Sequence, residues 1–263
     1  TLILGLVMLK RGDSFRLAPR QIPLMFIQGI LFALSSVGLF EAYNYMDVGL
    51  ASTMLFVEPV IIALILWIFY RQRISLATFI AILISIAGVV CLANPGPGAH
   101  VTGIGMVLVV LSALSYSIYM VLINKTSLRS LAGPTLTFYS LLFGITVFIV
   151  QLKGLSQLQG VPANPLGLAC MAGISVFPTI VSILTVAVAV QLIGSVPVSI
   201  LGALEPVTGV VIGVFVFSEL LTLKAVAGIV LILAAVFVLV SSPRKLFSHG
   251  KAMFRHIRLS RGR

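Results

Sequence analysis

The chain has 263 residues, of which 60% are hydrophobic and 9% charged, with a mean hydropathy of +1.20 and a formal net charge of +11. Soluble domains carry roughly 25% charged residues, so this composition excludes a water-facing surface. The alternating segments of about 10 residues that build a membrane barrel are also absent. An all-α polytopic membrane protein remains.

In chain order, residues 1–9 (TLILGLVML) are apolar but too short to span a bilayer. Because the chain starts at Thr1, they read as the tail of a helix that begins upstream. Lys10 and Arg11 follow with no small-residue cleavage site, which argues against a signal peptide. Eight complete spans come next, at 22–45, 48–70, 74–93, 103–124, 131–152, 166–190, 196–217 and 221–241. Each suffices, or nearly so, to cross a hydrocarbon layer of ~30 Å at ~1.5 Å per residue. Short polar or Gly/Pro-containing stretches such as MDV, YRQR and NPGPGAHVT separate them.

Alternate connections sort the basic residues into two sets. One holds Lys10, Arg11, Arg16, Arg20, Arg71, Arg73, Lys125, Arg129 and all those of the tail after Pro243; the other holds only Lys153 and Lys224. Positive charge accumulates on the cytoplasmic side, so the first set and the C-terminus are expected inside, and the charge needs no nucleic acid to explain it. The basic tail, 242–263, reads as a solubilising cytoplasmic segment; the alternative is an amphipathic helix on the inner leaflet carried by Phe254 and Ile257.

The sequence repeats itself at an offset of 147 residues, which brings Glu58-Pro59-Val60 onto Glu205-Pro206-Val207. Ser52 falls on Ser199, Ile65 on Ile212, Leu76 on Leu223, Ala87 on Ala234 and Leu92 on Leu239. The span holding Glu58 ends in the basic YRQR, whereas its partner ends in FSEL, an acid without a base. Equivalent spans therefore run in opposite directions, as in inverted-repeat transporters, whose binding sites lie near the bilayer midplane.

Two stretches, VGLASTMLFVEPVIIALILWIFYRQRISLATFIAILISIAGVV and SVPVSILGALEPVTGVVIGVFVFSELLTLKAVAGIVLILAAVF, each resemble the EamA-type module of the drug/metabolite transporter superfamily. Both carry the mid-helix Glu-Pro among small residues, and the second also has the late Glu219; the first has Arg71-Gln72-Arg73 where that family often has Glu. The resemblance covers essentially the whole chain. It implies two inverted five-helix repeats, ten helices with both termini inside. On that basis residues 1–95 are a first repeat lacking its first helix and most of its second, and 101–241 are the second repeat. The repeat offset likewise expects at least about 40 further residues upstream of Thr1.

Three acids lie within spans, Glu41, Glu58 and Glu205, none with a Lys or Arg in its own span. Ionised groups at the bilayer centre cost several kcal/mol unless protein or water receives them. A carboxyl held there is a candidate for taking and releasing protons. Pro59 and Pro206 cannot donate to the carbonyls of Leu55 and Gly202, so each repeat is expected to kink and free a carbonyl beside its Glu. The competing expectation is that the prolines only shape the helices while a protonated Glu bonds to a neighbouring span. Glu41 aligns with Val188 and sits near an outer span end, where a solvated role competes with a coupling one.

Tyr116 and Tyr119, with Ser112 and Ser115 a turn earlier, are candidates to line a cavity for a polar uncharged or zwitterionic solute; an aromatic belt or a helix–helix hydrogen bond is the alternative. Asn44 and Gln191 align and are candidates for the same cavity. Gly209 and Gly213 fit close packing within the monomer, with a homodimer contact as the alternative.

No catalytic site, metal or cofactor is expected. His100, His249 and His256 all lie outside the spans, Cys91 and Cys170 are isolated and read as small core residues, with a disulfide between the outer span ends as the alternative, and no nucleotide-binding loop is present. The resemblance implies a secondary carrier in a bacterial inner membrane, exporting small metabolites or amino acids on an ion or solute gradient, with a small-molecule substrate and the lipid bilayer as partners and a homodimer left open. A lipid-linked sugar flippase and a non-transporting membrane scaffold or accessory subunit are the alternatives.

Overall fold

The computed structural model describes residues 1–46, 48–72, 74–92, 102–151, 164–205, 207–208, 211, 215 and 223–241. The tail, the three histidines, Pro206, Gly209, Gly213 and Glu219 lie outside the described residues.

Helix α1 spans Leu2–Arg11 and stops at Gly12, whose φ of 70° is a left-handed cap that satisfies the last carbonyls. Helix α2 runs Gln21–Ala42. The region expected as one bent span at 48–70 is three pieces: α3 at Val48–Met54, a 3-10 turn at Leu55–Val57, and α4 at Glu58–Tyr70. Helix α5 covers Leu76–Leu92 and α6 covers Gly103–Lys125, the latter capped by Thr102, whose hydroxyl accepts from the Gly105 N–H at 3.2 Å.

After a 3-10 turn at Ser127–Ser130 comes α7, Gly133–Gln151. Asn164 then caps α8, Pro165–Ile174, which opens with Pro at a position where the missing N–H costs nothing. A wide π segment, Ser175–Val181, leads into α9 at Ser182–Ile193. Pro178 sits inside that segment; with no N–H to donate and a ring that crowds the preceding turn, it explains why the span read as continuous at 166–190 widens there. Helix α10, Ser195–Gly202, follows α9 across the single residue Gly194, and α11 is Leu223–Ser241.

Among the described residues four helical stretches, Gln21–Ala42, Gly103–Lys125, Gly133–Gln151 and Pro165–Ile193, are long and apolar enough to cross a membrane. Shorter apolar helices stand at Leu55–Tyr70, Leu76–Cys91 and Val226–Val238. Trp67, Phe69, Phe177 and Phe237 project from the outside of the bundle, an apolar face suited to lipid rather than water. The interior is equally apolar: Met25, Ile62, Leu66, Tyr119, Ile123, Leu136, Val190 and Ile200 bring α2, α4, α6, α7, α9 and α10 into one core.

Small residues set the closest approaches. A Cβ at Gly29 of α2 would lie 3.0 Å from the Ser140 carbonyl oxygen of α7, and one at Gly133 would lie 2.5 Å from a Val188 methyl of α9. Helix α2 is also clamped to α6: the Ser112 hydroxyl donates to the Ser35 carbonyl at 2.7 Å, and the two side-chain oxygens lie 3.2 Å apart. The expected cavity role of Ser112 and Ser115 is thereby corrected, because Ser115 bonds its own helix at the Leu111 carbonyl.

Lys125 and Arg129 meet the chain next to Arg20 and Arg71 at one end of the bundle. There the Lys125 ammonium donates to Gln72 Oε1 at 2.5 Å, and Gln21 Nε2 donates to the Ser127 carbonyl at 3.1 Å. At the opposite end the Thr102 hydroxyl donates to the Tyr45 carbonyl at 2.9 Å. Both cysteines are free; Cys91 is half-buried and Cys170 exposed on α8, so neither is the buried core residue expected.

Candidate functional site

A cavity of about 580 Å³ opens among α2, α3, α4, α6, α9 and α10, and Glu58 and Glu205 both line it. Glu58 is the first residue of α4 and Pro59 occupies the first turn, where a proline fits. The chain reaches them through the 3-10 turn, in which the N–H of Glu58 bonds the Leu55 carbonyl. The freed carbonyl expected at Leu55 is therefore not free: the residue before the proline takes it with a tighter turn. In the second half the helix breaks at Ala203 and resumes at Leu204 and Glu205, so a discontinuity stands beside each carboxylate.

The lining follows the repeat. Ser35 and Ser182, Leu39 and Val186, Ser52 and Ser199, Leu55 and Gly202, and Glu58 and Glu205 all contribute to the same wall, and within each pair the offset is 147 residues. Hydroxyls of Ser36, Tyr43 and Tyr116 add further polar groups, while Phe56, Met120 and Val198 supply apolar wall. Tyr43 and Ser52 are linked across α2 and α3 at 3.3 Å. No lysine, arginine or histidine is among the described lining residues.

The other sequence candidates separate. Tyr116 lines the cavity, but Tyr119 is fully buried behind it, stacked on Tyr116 at a centroid distance of 5.2 Å and tilted against Phe32 at 5.5 Å. Asn44 is exposed in the turn after α2, and Glu41 lies in the last turn of that helix; neither is part of the wall. Gln191 is 2% exposed and turned to the basic end, where its Nε2 donates to the carbonyls of Leu128 and Leu131 at 3.3 and 3.0 Å. Sequence reasoning passed over Ser35, Ser36, Tyr43 and Ser182. The signal for two of these was present, since Ser35 and Ser182 coincide in the repeat alignment as Ser52 and Ser199 do.

A helical membrane bundle around a cavity that holds two carboxyls and several hydroxyls, flanked by broken helices, is the architecture of a membrane transporter. The sequence profile of the EamA-like transporter family matches residues 1–94 and 103–241, and the chain belongs to that family. It is similar to an uncharacterized transporter, YvbV, of Bacillus subtilis, at 29% identity over 133 residues, 49% of this chain and 42% of that protein. It is similar also to an uncharacterized transporter of Archaeoglobus fulgidus, at 27% identity over 227 residues, 86% of this chain and 80% of that protein. The chain thus spans less than half the length of the Bacillus relative it matches. A solved crystal structure shares the fold with a TM-score of 0.77 at 17% identity, covering 94% of this chain and 85% of the other.

Proposed function

We propose that this transporter is a secondary active carrier that exports small metabolites or amino acids through a bacterial inner membrane, with Glu58 and Glu205 as its coupling-ion site. The observation that carries the reading is the cavity shared by both carboxylates and walled by residues paired at the repeat offset. On this reading residues 1–95 and 101–241 are the two inverted repeats, the C-terminus is cytoplasmic, and the cavity is the element that faces each side in turn.

Chemically, the wall offers two carboxyls, several hydroxyls and the ring of Tyr116 in a space large enough for an amino-acid-sized solute. A carboxyl in such a site holds a proton or the cationic group of a solute, and releasing one on each side of the membrane couples flux to a gradient. The breaks next to Glu58 and Glu205 let each helix half tilt independently, which a continuous helix resists.

The test is an untargeted comparison of external metabolites between cells with and without the protein, followed by flux of the enriched compound in proteoliposomes with an imposed pH gradient. Concentrative, gradient-dependent flux supports the reading. A protein that inserts but moves none of the enriched compounds would instead favour the scaffold alternative, and movement of lipid-linked sugars the flippase.

A further inference from the structure

The cavity wall stops short of the basic end. Towards that end it reaches Met120 on α6, Val186 on α9 and Val198 on α10, and beyond them the ends of these helices are tied together. Asn124 at the end of α6 donates through Nδ2 to the Ser195 hydroxyl at 3.3 Å. Gln191 holds the α6–α7 turn by two carbonyls, and Arg129 of that turn returns a bond from Nε to the Gln191 carbonyl at 3.2 Å.

The two helices on the other side of these ties, α9 and α10, form a hairpin with a one-residue connection. Gly194 supplies it at φ 94°, a conformation that L side chains rarely adopt, and a Cβ there would also sit 3.6 Å from Asn124 Nδ2. Gln191 and Ser195 thus flank the bend, and both are buried.

We propose that the α9–α10 hairpin is the door at the basic end of the cavity and that Gln191 is its latch. Opening this end requires the hairpin to swing from α6 about the Gly194 bend, which breaks the Asn124–Ser195 bond and the three bonds made by Gln191 and Arg129 together. Gln191 is then a positioning residue and not a substrate ligand. Its aligned counterpart Asn44 lies exposed at the opposite end. These bonds latch the basic end, and the cavity wall extends towards Tyr43 and Ser52 near the other. Two side-chain donations to backbone carbonyls make the latch strong enough to bias the door by about an order of magnitude or more and weak enough to release in each cycle.

The proposal rests on the carrier reading, since a door matters only if the cavity faces both sides in turn. It can be tested without any transported solute. With Cys91 and Cys170 replaced by Ala, Ser199→Cys serves as reporter in the cavity wall, in sealed vesicles of each orientation, with a membrane-impermeant maleimide as probe. Gln191→Met, which keeps length but donates nothing, is expected to speed labelling from the basic side at least tenfold and to leave labelling from the other side the same or slower. Unchanged labelling from the basic side overturns the latch.

Should that variant fail to insert, Asn124→Cys with Ser195→Cys keeps Gln191 and tests the door itself. Oxidation is expected to form a disulfide and to slow amide hydrogen exchange over residues 187–199 at least tenfold relative to the reduced protein. Equal exchange in both states, or no disulfide, overturns the moving hairpin. Loss of flux with intact labelling changes would instead count against the carrier reading alone.

Discussion

A Cβ built at Gly88 of α5 would lie 2.9 Å from the carbonyl oxygen of Gly228 in α11. The repeat makes the crossing reciprocal: Gly88 aligns with Ala235 and Gly228 with Ala81, and both alanines are fully buried. Apolar contact alone does not hold helices together in lipid, so the close approach permitted by small residues is what binds this pair.

Gly88→Val is therefore expected to force α5 from α11, since the obstacles are backbone atoms and Ile232 rather than the tip of a flexible side chain. Overpacking of this kind costs about 1–3 kcal/mol. Thermal unfolding in detergent should show an apparent Tm several degrees lower. Gly173→Ala, on α8 where nothing lies within 4 Å, is the control and should leave Tm unchanged or raised, because helix propensity favours Ala by about 1 kcal/mol.

The α2–α6 clamp gives a second contrast. Ser112→Ala removes the donor to the Ser35 carbonyl and leaves the Ser35 hydroxyl without its partner on α6, at an expected loss of about 1 kcal/mol. Ser115→Ala, one turn along the same helix, loses only a bond to its own Leu111 carbonyl and should be neutral. Equal Tm values for the two variants would show that the clamp contributes nothing.

For coupling, Glu58→Gln and Glu205→Gln keep shape but cannot titrate. Each is expected to abolish concentrative transport in proteoliposomes while solute exchange falls by less than tenfold. Uphill flux at the native rate in both variants, driven by a pH gradient, would make the two carboxyls structural.

Pro59→Ala restores an N–H within reach of the Leu55 carbonyl, which the 3-10 turn now satisfies through Glu58. The expected result is a straighter α3–α4 helix that slows exchange and concentrative flux alike, with greater amide protection across residues 55–60. Protection and flux both at wild-type level would indicate that packing around the turn, rather than the proline, maintains the break.

Topology is checked by single cysteines at Asn94 and Ser127 in a background without Cys91 and Cys170. The clustering of Lys125, Arg129 and their neighbours at one end expects Ser127→Cys to react from the cytoplasm and Asn94→Cys from outside. Reaction of both from one side would refute the assignment.

The sequence by itself determined that the chain is an all-α polytopic membrane protein, and it set the expected spans and their sense. Lipid imposes a length of apolar helix, and lysine and arginine collect at the helix ends, so both properties are written locally. The repeat offset went further and paired Glu58 with Glu205 and Ser52 with Ser199, all four of which line one cavity. Rotation about each helix axis was not legible. In a soluble helix the polar face marks the outside, but here lipid and protein interior are equally apolar, so Tyr116 on the wall and Tyr119 behind it look alike in sequence. The same ambiguity put Gln191 in the cavity on paper, whereas the hairpin at Gly194 turns it to the carbonyls of Leu128 and Leu131. Which side chains share a cavity, and which lock its end, was decided only when the helices packed, because the small residues and broken turns that rotate each helix act through neighbours distant in the chain.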